Sequence, residues 1–247
     1  MKSDNNPIRE LFGHLKAGGL TQMPESLFAT EEAPEQGGKV STAPAAAVVG
    51  EERESLWAAL IEETSKCTKC RLCETRNKVV LDTGCRIDPP IAFIGEGPGA
   101  DEDLQGEPFV GKAGQLLTKA IEQGLGLKRS DIYICNVVKC RPPNNRAPLP
   151  DEVENCITYL FRQIDLVNPR VIITLGQSAQ MALCGKDGGI TKIRGTWLEW
   201  RGRKVMPTFH PAYLLRNPSA KRPFWEDLQE VMRELGIENT GNRSGPG

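Results

Sequence analysis

From about Glu51 onward the chain alternates between two kinds of pattern. Short unbroken apolar runs are bounded by glycine or proline, and longer segments return an apolar residue every three or four positions. The short runs "PPIAFIGEGPG", "DIYICNVVKC" and "RVIITLG" read as buried strands, and "WLEWRGRKVMPTFHP" reads as a hairpin leading into a fourth core strand. The helical segments are "ESLWAALIEETSKC", with Ser55 as its expected cap, "KAGQLLTKAIEQGLG", stopped by Gly124 and Gly126, and "PDEVENCITYLFRQIDLVNP", with an acidic first turn and Pro169 past its end. "QSAQMALCG" and "PFWEDLQEVMRELG" complete the set, and no internal repeat is visible.

Strands separated by helices predict a parallel sheet covered on both faces, here a three-layer α/β/α domain around a four-stranded parallel sheet. Folds of this kind bind ligands beyond the carboxyl ends of their strands. The site is therefore expected in the loops "GEGPG", "NVVKC", "LGQSA" and "FHPAYLL".

The first fifty residues differ. "IRELFGHLKAGGL" has Ile8, Leu11, Phe12 and Leu15 on one face of a short helix. "TEEAPEQGGKVSTAPAAAVVGEE" has too little apolar surface to fold and reads as a disordered linker. "QMPESLF" has a faint likeness to a docking peptide, although plain linker is the simpler reading. The expected organisation is an acidic leader over 1–50, which leaves room for a weak repair or replication partner, a domain over 51–238 and a flexible tail over 239–247. Net charge is −1 over the 247 residues. Residues 1–60 hold 5 Lys+Arg against 9 Asp+Glu, and residues 61–247 hold 26 against 23, so the body is mildly basic. A net +3 is weak support for a polyanion partner, because clustering matters more than the sum. No apolar run approaches the ~20 residues of a membrane span. "MKSDNNPIRE" lacks the pattern of a secretory signal, so a reducing cytoplasm is expected, and a monomer with no membrane role.

There, clustered cysteines more often bind metal than form disulfides. Of eight cysteines, Cys67, Cys70 and Cys73 stand two residues apart in "KCTKCRLC". A bacterial ferredoxin run would need a fourth cysteine at the position of Asn77, so that reading fails. A two-plus-two arrangement adds Cys140 and Cys156 to Cys67 and Cys70. Four thiolates suit either a [4Fe–4S] cluster or structural zinc, and spacing does not choose between them. Cys135 and Cys184, in apolar runs, are expected to be buried thiols, while Cys73 and Cys85 stay open as alternative ligands.

In order and spacing, "CTKC", "IGEGPGADEDLQGEPFVGKAGQLL", "YICNVVKCRPPNNRAPLPDEVENC", "ITKIRGTWLEWRG" and "FHPAYLLRNPS" are similar to the family 4 uracil-DNA glycosylases, the iron–sulfur branch of their superfamily. The likeness runs from about Cys67 to Leu235 and excludes the leader. It implies the uracil-DNA glycosylase fold, a hydrolase of base excision repair that flips uracil out of double- or single-stranded DNA and leaves an abasic site, and a [4Fe–4S] cluster on Cys67, Cys70, Cys140 and Cys156. Cys135 stands where the family often has Thr.

Within that resemblance the chemistry assigns roles. Breaking an N-glycosidic bond puts positive charge on the sugar and negative charge on the base. His210 is the candidate donor to the uracil anion; the other histidine lies in the leader. Asn136 pairs through its amide with the N3–H and O4 of uracil, a pattern cytosine reverses. Phe109 is the stacking surface. Gly95, Glu96 and Gly97 form the loop under the base, with Glu96 a candidate to orient water. Better-known uracil glycosylases carry an aspartate and a thymine-excluding tyrosine where Gly97 and Gly99 stand, and Glu102 is a candidate to fill that space. Leu214 or Leu215 is the expected wedge into the duplex. Arg216, Arg141, Arg146, Lys221 and Arg222 are expected at phosphates, and Lys139 is expected to face DNA. No lysine is expected in the pocket loops, so the enzyme reads as monofunctional. Two alternatives remain: a superfamily member that traps uracil-containing single strands covalently, though "NVVKCRPPNNRAPLP" lacks the basic insertion that trapping uses, and one with altered base specificity. An iron–sulfur electron carrier would not require Asn136, Phe109 and His210 at strand ends.

Overall fold

The computed structural model of the chain describes residues 48–185 and 188–237; the helix expected near residues 8–20, the rest of the leader before 48 and the tail lie outside them. Six strands form one sheet: β1 (Asp82–Gly84), β2 (Ile91–Gly95), β3 (Tyr133–Asn136), β4 (Val171–Leu175), β5 (Leu198–Trp200) and β6 (Arg203–Thr208). Their order is β1-β3-β2-β4-β6-β5. The four inner strands are parallel, and both edges are antiparallel. The expected four-stranded parallel sheet is thus the interior of a six-stranded mixed sheet. The β5–β6 hairpin was legible in the sequence, but the "DTG" of β1 was not, because it carries no apolar alternation. Polar contacts, one long-range and one local, hold it instead. The Asp82 carboxylate accepts from the Tyr133 hydroxyl at 3.1 Å and from Arg86 Nη2 at 2.7 Å.

The helices are α1 (Val48–Ser65), α2 (Ala100–Gln105), α3 (Lys112–Lys119), α4 (Pro150–Val167), α5 (Gln177–Cys184), α6 (Ile190–Ile193), α7 (Pro211–Arg216) and α8 (Lys221–Leu235). Successive strand residues point to opposite faces. Ala92 and Ile94 therefore join Trp57, Leu60, Tyr159 and Leu160 from α1 and α4, while Ile91 and Phe93 join Leu117, Phe224 and Leu228 from α3 and α8. That is the predicted three-layer packing; each such buried aliphatic or aromatic side chain contributes roughly 1.5–3 kcal/mol.

Three local expectations change. Ser55 lies inside α1, so it is not the cap. Past α3 the chain widens into a π-helical turn, Ala120–Leu125, that ends at Gly126 with φ +69°. Gly124 does not stop the helix; a Cβ there would stand 2.7 Å from the Trp225 ring, so the glycine lets α8 pack closely. The short helix α7 falls in a stretch expected to be a loop, and α2 and α6 lie where no element was assigned. Among the described residues, no helix is long and apolar enough to cross a membrane.

Candidate functional site

The loops at the carboxyl ends of β2, β3, β4 and β6 enclose a cleft of about 570 Å³. Glu96, Gly97, Phe109, Asn136 and His210, all selected from the sequence, line it. Gly95 does not face it. A Cβ on Gly95 would overlap the Asn136 Oδ1 and the Phe109 ring, so this glycine lets the two side chains converge.

Asn136 is 2% exposed, and its Oδ1 is buried with no hydrogen-bond partner. An orphaned buried acceptor costs ~1–3 kcal/mol, which a ligand donor can recover. His210 caps α7, and its Nδ1 accepts from the Ala212 N–H at 3.1 Å. That bond assigns the ring proton to Nε2. Burial, and then the nearby Arg216 guanidinium, pull the imidazole down to about 4. The ring is therefore a neutral N–H donor at neutral pH.

Phe109 is buried, lies 5.6 Å from the His210 ring centroid, and has a left-handed backbone, φ +56°. A non-glycine residue rarely holds that conformation unless its surroundings impose it. Here they do. Arg129 Nη2 donates to the Pro108 carbonyl at 2.7 Å. The Glu102 Oε1 accepts from the Val110 and Gly111 N–H groups, both at 3.0 Å. Any side chain on Gly114 would overlap the Phe109 backbone. Glu102 also accepts from the Gly99 N–H at 3.1 Å, so its carboxylate braces the loop and is committed to backbone rather than left to fill a gate.

Sequence reasoning missed Ser178, whose hydroxyl donates to the Glu96 Oε2. The signal was present in "LGQSA" as a strand-end loop, but the pairing spans 82 residues. Lys112 was also missed; it is exposed and lines the cleft, which corrects the expectation that no pocket lysine exists.

The rim separates residues that the sequence had grouped. Leu214 is 1% exposed and belongs to the core, whereas Leu215 is 48% exposed. Leu214 is thereby removed as a wedge. Arg216 is exposed beside the cleft. Arg141 is partly exposed, its Nε donating to the Asn145 Oδ1 at 2.7 Å. Arg146 reaches the cleft but is committed to Glu152 through a fork of 2.8 and 2.6 Å bonds. Lys221 and Arg222 are exposed on α8. Lys139 does not face outward: it is 2% exposed, and its ammonium donates to the Asn136 carbonyl.

A second, small cavity is lined by Cys67, Cys70, Cys140 and Cys156, and also by Cys73. Arg76 Nη1 donates to the Cys140 Sγ at 3.3 Å, and the Lys139 backbone N–H to the Cys156 Sγ at 3.3 Å. Burial raises the Cys70 and Cys140 thiols, and Cys156 to about 12. Cys135 is buried in β3 as expected, but Cys184 is only partly buried. Cys85 lies just past β1, where its thiol donates to the Ile87 carbonyl at 3.3 Å.

The family model described as the Uracil DNA glycosylase superfamily matches residues 81–229. Over 183 residues the chain is 49% identical to a type-4 uracil-DNA glycosylase of Thermotoga maritima, covering 72% of this chain and 94% of the relative. The chain belongs to the type-4 uracil-DNA glycosylases. It is also 45% identical over 184 residues to the type-4 uracil-DNA glycosylase of Sulfurisphaera tokodaii, covering 71% of this chain and 83% of that protein. A type-5 uracil-DNA glycosylase of Pyrobaculum aerophilum is 34% identical over 168 residues, covering 62% of this chain and 73% of the relative. The superfamily match spans the cleft loops from β2 to α7, whereas Cys67 and Cys70 fall before it.

Proposed function

We propose that this type-4 uracil-DNA glycosylase draws a uracil nucleotide into the cleft, rests the base on Phe109, reads its edge with Asn136 and releases it as an anion held by His210. The unpartnered Asn136 Oδ1 carries this reading. It accepts the N3–H of uracil, while the amide nitrogen donates to O4; cytosine offers the reverse pattern and leaves both groups unpaired. As the bond from the sugar to N1 breaks, its electron pair moves onto the base. The neutral His210 donates from Nε2 to the carbonyl where that charge collects. Water adds to the sugar carbon, and Glu96, steadied at Oε2 by Ser178, orients it from Oε1. The product is an abasic site, the entry point of base excision repair. Leu215 fills the gap left in the duplex, and Arg216 and Arg141 meet phosphates.

The direct test is incubation with oligonucleotides carrying uracil mismatched, paired or single-stranded, followed by alkali. Strand scission at uracil is expected with wild type, and Asn136→Ala should narrow the preference for uracil over cytosine. Intact strands in every arm would overturn the reading.

The cysteine cavity fits a [4Fe–4S] cluster held by Cys67, Cys70, Cys140 and Cys156. A group that binds thiolate displaces the protons that burial otherwise keeps on these sulfurs. The N–H donors from Arg76 and Lys139 suit sulfur that carries negative charge. Among the described residues no three Cys, His, Asp or Glu side chains are grouped to hold one metal ion. The resemblance to the iron–sulfur branch, and not the arrangement of the thiols, selects a [4Fe–4S] cluster over zinc. When bound, the cluster would supply a structural crosslink between the segment before β1 and the segment from β3 to α4, with no redox step in the hydrolysis. Protein purified anaerobically should be brown and hold iron; a colourless protein with stoichiometric zinc would refute this assignment.

A further inference from the structure

Lys139 is the one buried lysine among the described residues. No carboxylate there forms an ion pair with it. A buried charge with no partner is costly, so something of opposite sign is expected beside it. What it borders is the cysteine cavity, whose wall it forms with Cys67, Cys70, Cys140 and Cys156. At its other end the ammonium donates to the carbonyl of Asn136, the residue whose side-chain oxygen waits unpartnered in the cleft. Its backbone is tied as well: its N–H donates to the Cys156 Sγ at 3.3 Å and its C=O accepts from Val80 at 2.8 Å. Between these anchors, Val137 and Val138 donate to the carbonyls of Gly95 and Glu96 at 2.9 and 3.1 Å. The base-reading asparagine and a cysteine ligand are thus joined through one residue, its ammonium on the first and its backbone N–H on the second.

We propose that Lys139 is a positioning residue that couples the cysteine centre to base reading. The negative charge of the ligated thiolates holds its ammonium in the interior, and the ammonium fixes the Asn136 carbonyl and so the aim of its amide. The inference rests on the reading that these thiolates hold a metal cluster. Arg76, which donates to the Cys67 carbonyl at 2.8 Å and to the Cys140 sulfur, shares the electrostatic part but makes no link to the cleft.

The test uses full-length protein purified anaerobically, with iron content measured first. Lys139→Met keeps the length of the side chain and removes both charge and donor. It should release iron to a chelator about tenfold faster than wild type and slow single-turnover uracil excision by about tenfold, the scale of one lost charge-assisted hydrogen bond. In an Asn136→Ala background the same change should slow excision no further, because its target is gone. A purely structural lysine would instead give effects that multiply. Lys139→Gln keeps a donor without the charge; it should lose iron as fast as Lys139→Met yet excise at nearly the wild-type rate, and it stands in if Lys139→Met does not fold. Wild-type iron retention in both variants, or multiplying rate effects, would overturn the inference. Wild-type protein isolated without iron would overturn the reading of the cysteines and this inference with it. Iron-bearing wild type beside indifferent variants overturns the inference alone.

Discussion

The cleft and the cysteine cavity lie at opposite ends of the segment from Asn136 to Cys140, and they handle polar groups in different ways. In the cleft, the two groups assigned to the base are neutral and one is unpaired: an imidazole pulled down to about 4 by burial, and an amide whose oxygen has no partner. Around the cysteines, thiols that burial holds protonated stand beside three cations, of which Lys69 is paired with Glu63 while Arg76 and Lys139 have no carboxylate partner among the described residues. Both arrangements are incomplete as bare protein chemistry, and each is incomplete in a way that describes its partner. An unpaired acceptor beside a neutral donor suits an uncharged base that gains charge only as its bond breaks. A cluster of thiols beside unmatched cations suits an anionic centre that is present throughout.

The sharpest way to separate the two regions is to damage each alone. Cys156→Ser should have the largest effect, abolishing iron binding and the cooperative thermal transition together, since the crosslink joins distant segments; circular dichroism melts with iron analysis check this. Full iron and an unchanged melt would remove the cysteine cavity as a structural centre. His210→Ala should leave iron unchanged, lower the melt only modestly through the lost cap of α7, and slow single-turnover excision by ~10²–10³, the usual cost of one lost oxyanion donor. Its affinity for abasic-site DNA should stay near wild type, because the lost interaction grows only as the bond breaks.

Gly95→Ala should come next. It removes no named catalytic side chain but pushes Asn136 and Phe109 apart. Misplacement by about 1 Å costs on the order of 10²-fold in rate. A rate within a few-fold of wild type would show that the two side chains relax freely, contrary to the pinned Phe109 backbone.

The smallest effect concerns pH. The His210 pKa in the fold, about 4, lies below its ordinary value of about 6.5. Between these values the unfolded chain binds the proton and the folded chain does not. The stability contribution is therefore complete above about pH 6.5 and is lost as pH falls toward 4. The excision rate should show no inflection from His210 between about pH 5.5 and 8. A step near 6.5 that disappears in His210→Ala would mean that the ring titrates freely.

Much of this molecule was legible before its structure. The apolar runs located three of the four parallel strands, because strands buried on both faces leave continuous hydrophobic sequence, and the hairpin pattern located the fourth. The rule that ligands sit beyond strand ends placed the site in the loops that hold Glu96, Asn136 and His210. The cysteine spacing brought forward the residues that line the second cavity. The β1 edge was not legible, since Asp82 is held there by Tyr133, a contact distant along the chain.

What the sequence determined by itself was periodicity, strand and helix type, and which residue types stand at strand ends. Those depend on the backbone's local preferences and on a two- or 3.6-residue repeat. Only the tertiary structure decided which of two adjacent leucines faces solvent, that Lys139 turns inward, that Glu102 braces the Phe109 loop, and that Ser178 steadies Glu96. These outcomes depend on which remote segment packs against a loop, and a loop carries no repeat from which that partner could be read.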